Sequence, residues 1–173
     1  VIVADNEHAV EAARDQAVDL GLRAAVIWSE AIGEAREWGR AWAHACRAAG
    51  PEIDCLLGGG EMTVTVRGDG VGGRNTEFAL AAAMRLHALG DPAWVIASLA
   101  TDGQDGPTDV AGAILDAGSI EQMRAKGIDP LAHLERNDSL APIEAIGGAV
   151  APGPTGTNVN DLYVAVRRSA MRG

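Results

Sequence analysis

The stretch Ile53-Asp54-Cys55-Leu56-Leu57-Gly58-Gly59-Gly60-Glu61 decides how this chain is read. Ile53 to Leu57 reads as a buried strand, and the three glycines after it read as a loop at the strand's carboxyl end. That is where open α/β sheets bind their ligands. Glycines let backbone N–H groups approach an anion closely. The alternative is a tight turn into the next strand. The pattern is neither G-x-G-x-x-G nor a P-loop, because no Gly-Lys-Ser/Thr follows.

Upstream, Val1 to Ala4 reads as a buried strand. A helix follows from about Glu7, with Val10, Ala13, Ala17 and Leu20 near helical spacing, and Gly21 stops it. Ala24 to Trp28 is a second strand. Glu34 to Ala49 is a second helix carrying Trp38, Trp42, Ala45 and Ala49 on one face, ended by Gly50-Pro51. Strand-helix-strand-helix-strand is the pattern of parallel strands joined by right-handed crossovers. The expected fold is therefore α/β: one layered αβα-type domain over residues 1–173, with a mixed, largely parallel sheet.

Downstream the style changes. Met62 to Arg67 alternates apolar and polar residues like a half-exposed strand, and Gly68-Asp69-Gly70 turns it. Asn75 to Leu89 is helical and nearly all apolar, so it should be buried on most sides. Trp94 to Ala100 is a buried strand ending at Thr101-Asp102. Helices are expected near Ser119–Lys126, Pro130–Leu134 and Ser139–Ile146, and Leu162 to Val166 is a final strand.

A chain of 173 residues, 47% hydrophobic, fits one domain with a real core. No apolar run reaches the roughly 20 residues that span a bilayer, and no signal peptide is visible. The first residue is Val1, already inside an apolar strand, so an upstream part is expected to be missing. The net charge of −10 argues against nucleic acid or an anionic membrane as partner. An anionic ligand must then be met by local positive groups: helix N-termini, an arginine or a bound cation. Thirteen of the fourteen basic residues are arginine, and the one lysine, Lys126, is far in sequence from every glycine loop. Cys46 and Cys55 are expected to be buried free thiols in a reducing cytoplasm, and they make a poor zinc site.

Three further loops could carry chemistry. Arg74 stands behind Gly72-Gly73 at the mouth of the apolar helix, where its fork can grip a carboxylate or phosphate beside the helix N-terminus. The bland alternative is a surface pair with Glu77. Asp102, Asp105 and Asp109 cluster after a buried strand, where carboxylates can hold Mg²⁺ or accept a proton from a hydroxyl. They can equally serve turns and helix caps. Thr155, Thr157, Asn158, Asn160 and Asp161 line a glycine-rich loop suited to phosphate or sugar-acid oxygens, or simply to solvent. His8, His44, His87 and His133 fall on separate helices, Trp38 and Trp42 read as packing, and Ser98 lacks a nucleophile elbow.

Several of these phrases together resemble one family. Gly58-Gly59-Gly60-Glu61-Met62-Thr63-Val64-Thr65-Val66, Gly72-Gly73-Arg74-Asn75-Thr76-Glu77, Thr101 to Ala113, Asn137-Asp138-Ser139 and Gly153 to Leu162 are similar to the C-terminal, MOFRL-type domain of glycerate 2-kinases, a family also labelled hydroxypyruvate reductase. The likeness covers essentially the whole chain, including Ala4-Asp5-Asn6. It departs at Thr76, where the family usually has glutamine, at Met62, where it usually has threonine, and at Ala141-Pro142-Ile143, usually more aromatic.

The resemblance implies ATP- and Mg²⁺-dependent phosphorylation of D-glycerate to 2-phosphoglycerate, in a cleft shared with a larger N-terminal domain of the same polypeptide. It implies Arg74 as anion clamp, Asp102 and Asp105 as metal or hydroxyl partners, and Glu61, Asn75, Glu77, Thr155, Thr157 and Asn158 as substrate-binding groups. Phosphoryl transfer needs positive charge at the moving group. With no lysine in any of these loops, the other domain is expected to supply one. A homodimer is a candidate assembly. The competing readings are a free-standing sugar-acid or nucleotide-binding regulatory module, and a hydroxypyruvate reductase, for which no dinucleotide fingerprint occurs here.

Overall fold

The computed structural model describes residues 5–172. In chain order the elements are α1 (Asn6–Asp19), β1 (Ala24–Glu34), α2 (Ala35–Ala48), β2 (Cys55–Thr63), α3 (Arg74–Ala88), β3 (Trp94–Ala100), β4 (Gly112–Asp116), α4 (Ala117–Ala125), α5 (Pro130–Glu135), α6 (Leu140–Ala145), β5 (Ala149–Val150) and β6 (Asp161–Arg167), followed by a 3₁₀ turn at Ala170–Arg172. The strand expected at Val1 to Ala4 lies outside the described residues.

The six strands form one mixed sheet in the order β1-β2-β6-β3-β4-β5. The α/β class and the layering hold, but the sheet is not largely parallel. Only β1 and β2 pair in parallel, and β6 runs antiparallel to both β2 and β3. The helical crossovers do join co-directional strands, as the β-α-β pattern requires. The last strand then fills the slot between β2 and β3 and turns both neighbouring ladders antiparallel.

Helix α1 covers one face, packing Val10 and Ala17 against Cys55 and Leu57, with Leu162, Val164 and Val166 alongside. Helices α2 and α3 cover the other, where Trp42, Phe78 and Leu86 meet Leu56, Ile96 and Ala165. Behind α3, Ala79, Leu80 and Ala83 pack against Leu115, Ile120, Met123 and Leu134, which is why that helix is apolar nearly all round. The strand β4, unmarked in the sequence reading, supplies Ala113 and Leu115 to this layer.

The three glycines do not form a loop. Gly58, Gly59 and Gly60 lie inside β2, which continues to Thr63. A Cβ on Gly58 would press on the indoles of Trp28 and Trp42, and one on Gly59 would overlap Asn6 and Val10 of α1. Gly60 has φ +153°, and a Cβ there would overlap the backbone of Ala31 on β1. Their role is close packing of helices and a neighbouring strand onto β2. The alternating segment Met62–Arg67 is strand only to Thr63, and residues 64–73 are irregular.

Trp28 makes edge contacts with Trp38 at 4.8 Å and Trp42 at 5.0 Å, while Phe78 stacks on Tyr163 at 4.5 Å, so the tryptophans are packing groups. Trp38 also donates its indole N–H to the carbonyl of Ile32 at 2.8 Å. Cys46 and Cys55 are buried free thiols. Among the described residues, no helix is long and apolar enough to cross a membrane.

Candidate functional site

Register brings the candidate loops to one end of the sheet. Asp161, the first residue of β6, pairs with Gly60 on one side and Ala100 on the other. Glu61 therefore continues β2, Thr101-Asp102 leaves β3, and Asn158–Asn160 enters β6 at a common edge.

The N-terminus of α3 joins them through Arg74, the helix's first residue. Its Nε donates to Asp161 Oδ2 at 2.6 Å and its Nη2 to Asp161 Oδ1 at 2.9 Å. Asp161 is fully buried, whereas Arg74 keeps 24% of its side chain exposed. Asn75 Nδ2 and the Tyr163 hydroxyl donate to the same carboxylate, at 3.0 and 3.1 Å. The pairing raises the already basic Arg74 further, so its charge is permanent. No further hydrogen bond engages Nη1 or the second N–H of Nη2 among the described residues. Arg74 lines a cleft of about 690 Å³, together with Glu61, Thr63, Val66, Gly73, Pro107 and Asn137.

Three expected ligand groups are spent inside the fold. Asp105 is fully buried. One oxygen accepts from the backbone N–H of Asn75 at 2.9 Å and the other from that of Thr76 at 2.8 Å. The Thr76 hydroxyl and the Asn75 amide add bonds at 2.9 and 3.3 Å. It is an anion seated on the N-terminus of α3, satisfying the donors that helix leaves open. Burial pushes its carboxyl up against the pull of those bonds. With every acceptor engaged, Asp105 is corrected from metal ligand to helix cap. Glu77 likewise faces inward, accepting from Arg36 Nε and Nη2 at 3.0 and 2.9 Å and from Asn137 Nδ2 at 2.6 Å. Burial again pushes its carboxyl up, while Asn137 and Arg36 oppose the shift. Glu77 is no surface partner of Arg74; it borders the same cleft with its carboxylate engaged by Arg36 and Asn137. Asn75 is also buried, taking a bond from Ser98 Oγ at 2.7 Å and tying Asp105 to Asp161.

The remaining candidates are accessible. Asp102 is half-buried, accepting from Gln104 N at 2.9 Å and from Asn158 Nδ2 at 3.4 Å. Thr155 donates its hydroxyl to Thr101 O at 2.6 Å, and its N–H reaches Asp102 O at 3.2 Å. These bonds zip the loop before β6 to the loop after β3. Asp102 and Asp109 line a smaller pocket of about 270 Å³ with Gln104, Thr108, Gly153 and Pro154. Thr155, Thr157 and Asn158 lie exposed beside it, and Glu61 is exposed on the larger cleft.

The histidines stay apart: His8 bonds Asp5, His133 bonds Asp138, and His44 and His87 meet Arg85 and Arg124. Among the described residues, no group of three or more His, Cys, Asp or Glu side chains could hold a metal ion.

From the sequence, Arg36 and Tyr163 carry no role, Asn137 stands only in a family-like phrase, and Asp161 counts among the ligand-facing groups of the last loop, whereas here it is buried against Arg74. Asp161 had a signal, a carboxylate where a polar loop becomes an apolar strand. Arg36 had a weaker one, a charge beside apolar residues of an amphipathic helix.

The family model for MOFRL matches residues 54–161, from the residue before β2 to the aspartate that holds Arg74. The chain belongs to the MOFRL family. The MOFRL match thus contains both members of the Arg74–Asp161 pair. The chain is 37% identical over 169 residues to a D-glycerate 2-kinase of Thermotoga maritima, covering 94% of this chain and 40% of the relative. A putative hydroxypyruvate reductase of Agrobacterium vitis is 42% identical over 171 residues, covering 93% and 38%. The crystal structure of the Thermotoga maritima glycerate kinase superposes with a TM-score of 0.88 over 95% of this chain and 41% of that one. A protein of Pyrococcus horikoshii superposes with 0.84 at 36% identity, over 95% and 38%. This MOFRL chain therefore spans about 40% of the length of the curated relatives it matches.

Proposed function

We propose that this chain forms one wall of a glycerate 2-kinase active site, where a phosphoryl group passes from ATP to the 2-hydroxyl of D-glycerate. The observation that carries the reading is the Arg74 guanidinium. It is held in one orientation by a buried carboxylate, and the residue lines the cleft. A planar cation fixed in advance loses little freedom when it grips a substrate carboxylate in two-point fashion. The likeness to relatives named glycerate 2-kinase supports the same reading.

The roles follow from exposure. Arg74 binds the carboxylate of glycerate. Asp102, held by Gln104 and Asn158, accepts the hydroxyl proton. Thr155, Thr157 and Asn158 contact the remaining oxygens, and Glu61 lines the same cleft as Arg74.

The residues present do not fit a Mg²⁺ centre of their own. Asp105 is saturated, and among the described residues Asp102 belongs to no group of three or more His, Cys, Asp or Glu side chains. The only lysine, Lys126, caps the C-terminus of α4, so positive charge for the triphosphate comes from a larger N-terminal domain of the polypeptide.

The test is Arg74→Ala in the full-length protein, in a coupled kinase assay with D-glycerate and ATP. We expect kcat/KM to fall by at least a hundredfold, about 2.7 kcal/mol of transition-state binding. A change below about threefold, under ~0.7 kcal/mol, would sink the assignment. An NADH-linked assay with hydroxypyruvate on the same preparation separates the kinase from a reductase.

A further inference from the structure

Two sequence features remain without a role in this reading, the spaced glycines Gly68, Gly70 and Gly72 and the triplet Asn137-Asp138-Ser139. The structure makes them two halves of one device. The irregular segment 64–73 contributes Val64, Val66, Gly70, Gly72 and Gly73 to the cleft that Arg74 lines. Its backbone is gripped by residues 136–140. Asn137 Oδ1 accepts from the N–H groups of Arg67 at 2.6 Å and Gly68 at 3.1 Å. Gly70 N donates to Arg136 O at 3.0 Å, and Asp138 Oδ1 accepts from Val71 N at 3.1 Å. Leu140 N returns to Val71 O at 3.0 Å. A Cβ on Gly68, Gly70 or Gly72 would overlap Arg136, Asp138 or Ser139 in turn. From 68 to 72 every second residue is glycine because the 136–139 strip lies flush against it.

Asn137 does more than hold that wall. Its Nδ2 donates to Glu77 Oε1 at 2.6 Å, one helical turn after Arg74, and to Thr65 O at 3.3 Å. One buried amide therefore ties the wall of the cleft to the helix that presents the arginine. Its φ of +58° lies in the left-handed region that asparagine tolerates better than most residues.

We propose that Asn137 is a positioning residue for the reaction, setting the spacing between the 65–68 wall and Arg74 and so the fit of the hydroxy acid. This rests on the kinase reading above. Two variants separate position from stability. Asn137→Gly keeps the backbone angle and removes the amide. Asn137→Asp keeps the acceptor for Arg67 and Gly68 but sets an oxygen against Glu77.

In the full-length protein, both should raise KM for D-glycerate at least tenfold, while KM for ATP stays within threefold. In hydrogen exchange, the amides of Arg67 and Gly68 should exchange at least tenfold faster in Asn137→Gly, with Leu56 to Gly58 unchanged. A residue that only stabilised the fold would lower kcat through the active fraction and leave both KM values alone, and that result overturns the proposal. Unchanged exchange at Arg67 and Gly68 overturns it as well. An inactive wild-type protein overturns the kinase reading and this proposal together, whereas an active wild type beside unaffected variants overturns the proposal alone.

Discussion

The carboxylate of Asp161 accepts both Nε and Nη2 of Arg74, at 2.6 and 2.9 Å, from a fully buried position at the first residue of β6. Asn75 and Tyr163 donate to the same group, so four donors converge on one carboxylate. The last strand of the sheet thereby sets the direction of a side chain on α3, 87 residues away in sequence.

Asp161→Asn keeps the shape and removes the charge, and one of its atoms becomes a donor facing the guanidinium. Breaking a largely buried pair from one side leaves the partner uncompensated. Arg74 keeps some solvent contact, so we expect a loss near the lower end of that range, about 3 kcal/mol by urea unfolding. A loss below about 1 kcal/mol would mean that Asp161 matters little to the fold.

Asp105→Ala strips the anion from the N-terminus of α3. The backbone N–H groups of Asn75 and Thr76 lose their acceptor in a site without water access. Cap loss plus buried unsatisfied donors should cost about 2–3 kcal/mol, seen as a lowered thermal midpoint by circular dichroism. Added Mg²⁺ should not change the wild-type midpoint through this residue, because its oxygens are already engaged.

Gly60→Ala places a methyl group on the Ala31 backbone at a φ that side chains rarely adopt. Overpacking and backbone strain each cost about 1–3 kcal/mol. A drop of at least ~3 kcal/mol in chemical denaturation is expected. A neutral result would show that β1 moves aside.

Asp54, at the opposite end of β2, is held by Arg23 and its carboxyl is lowered from 3.8 to about 2. A carboxylate lowered on folding adds stability above its unfolded value and loses it as protons bind in the native state. Its contribution is therefore complete above about pH 4 and fades toward about pH 2. Urea midpoints for wild type and Asp54→Asn should differ near neutrality and converge through that window. Curves that stay parallel to pH 2 would refute the link.

Most helices and the buried strands β3 and β6 were legible because periodicity and stop signals act locally. Strand neighbours were not, since nothing near Leu162 tells that β6 slots between β2 and β3. Gly58 to Gly60 misled for a related reason. Glycine marks close approach as readily as a turn, and only the tertiary partners, Trp28, Trp42, Asn6 and Ala31, distinguish them. At the site, exposed candidates such as Glu61 and Thr155 stayed on the surface, while Asp105 and Glu77 turned inward to Asn75, Thr76 and Arg36. A carboxylate beside a helix start fits a ligand or a cap equally well in sequence, and burial decides.

The bond from the Trp38 indole to the carbonyl of Ile32 has an optical consequence. Ile32 is 75% exposed on the rim of the Arg74 cleft, yet its carbonyl is tied to a half-buried fluorophore. Whatever settles over that rim shifts the dipole beside the ring, and the emission of Trp38 should move with it. The domain carries a label-free reporter of its own cleft, read against the fully buried indoles of Trp42 and Trp94.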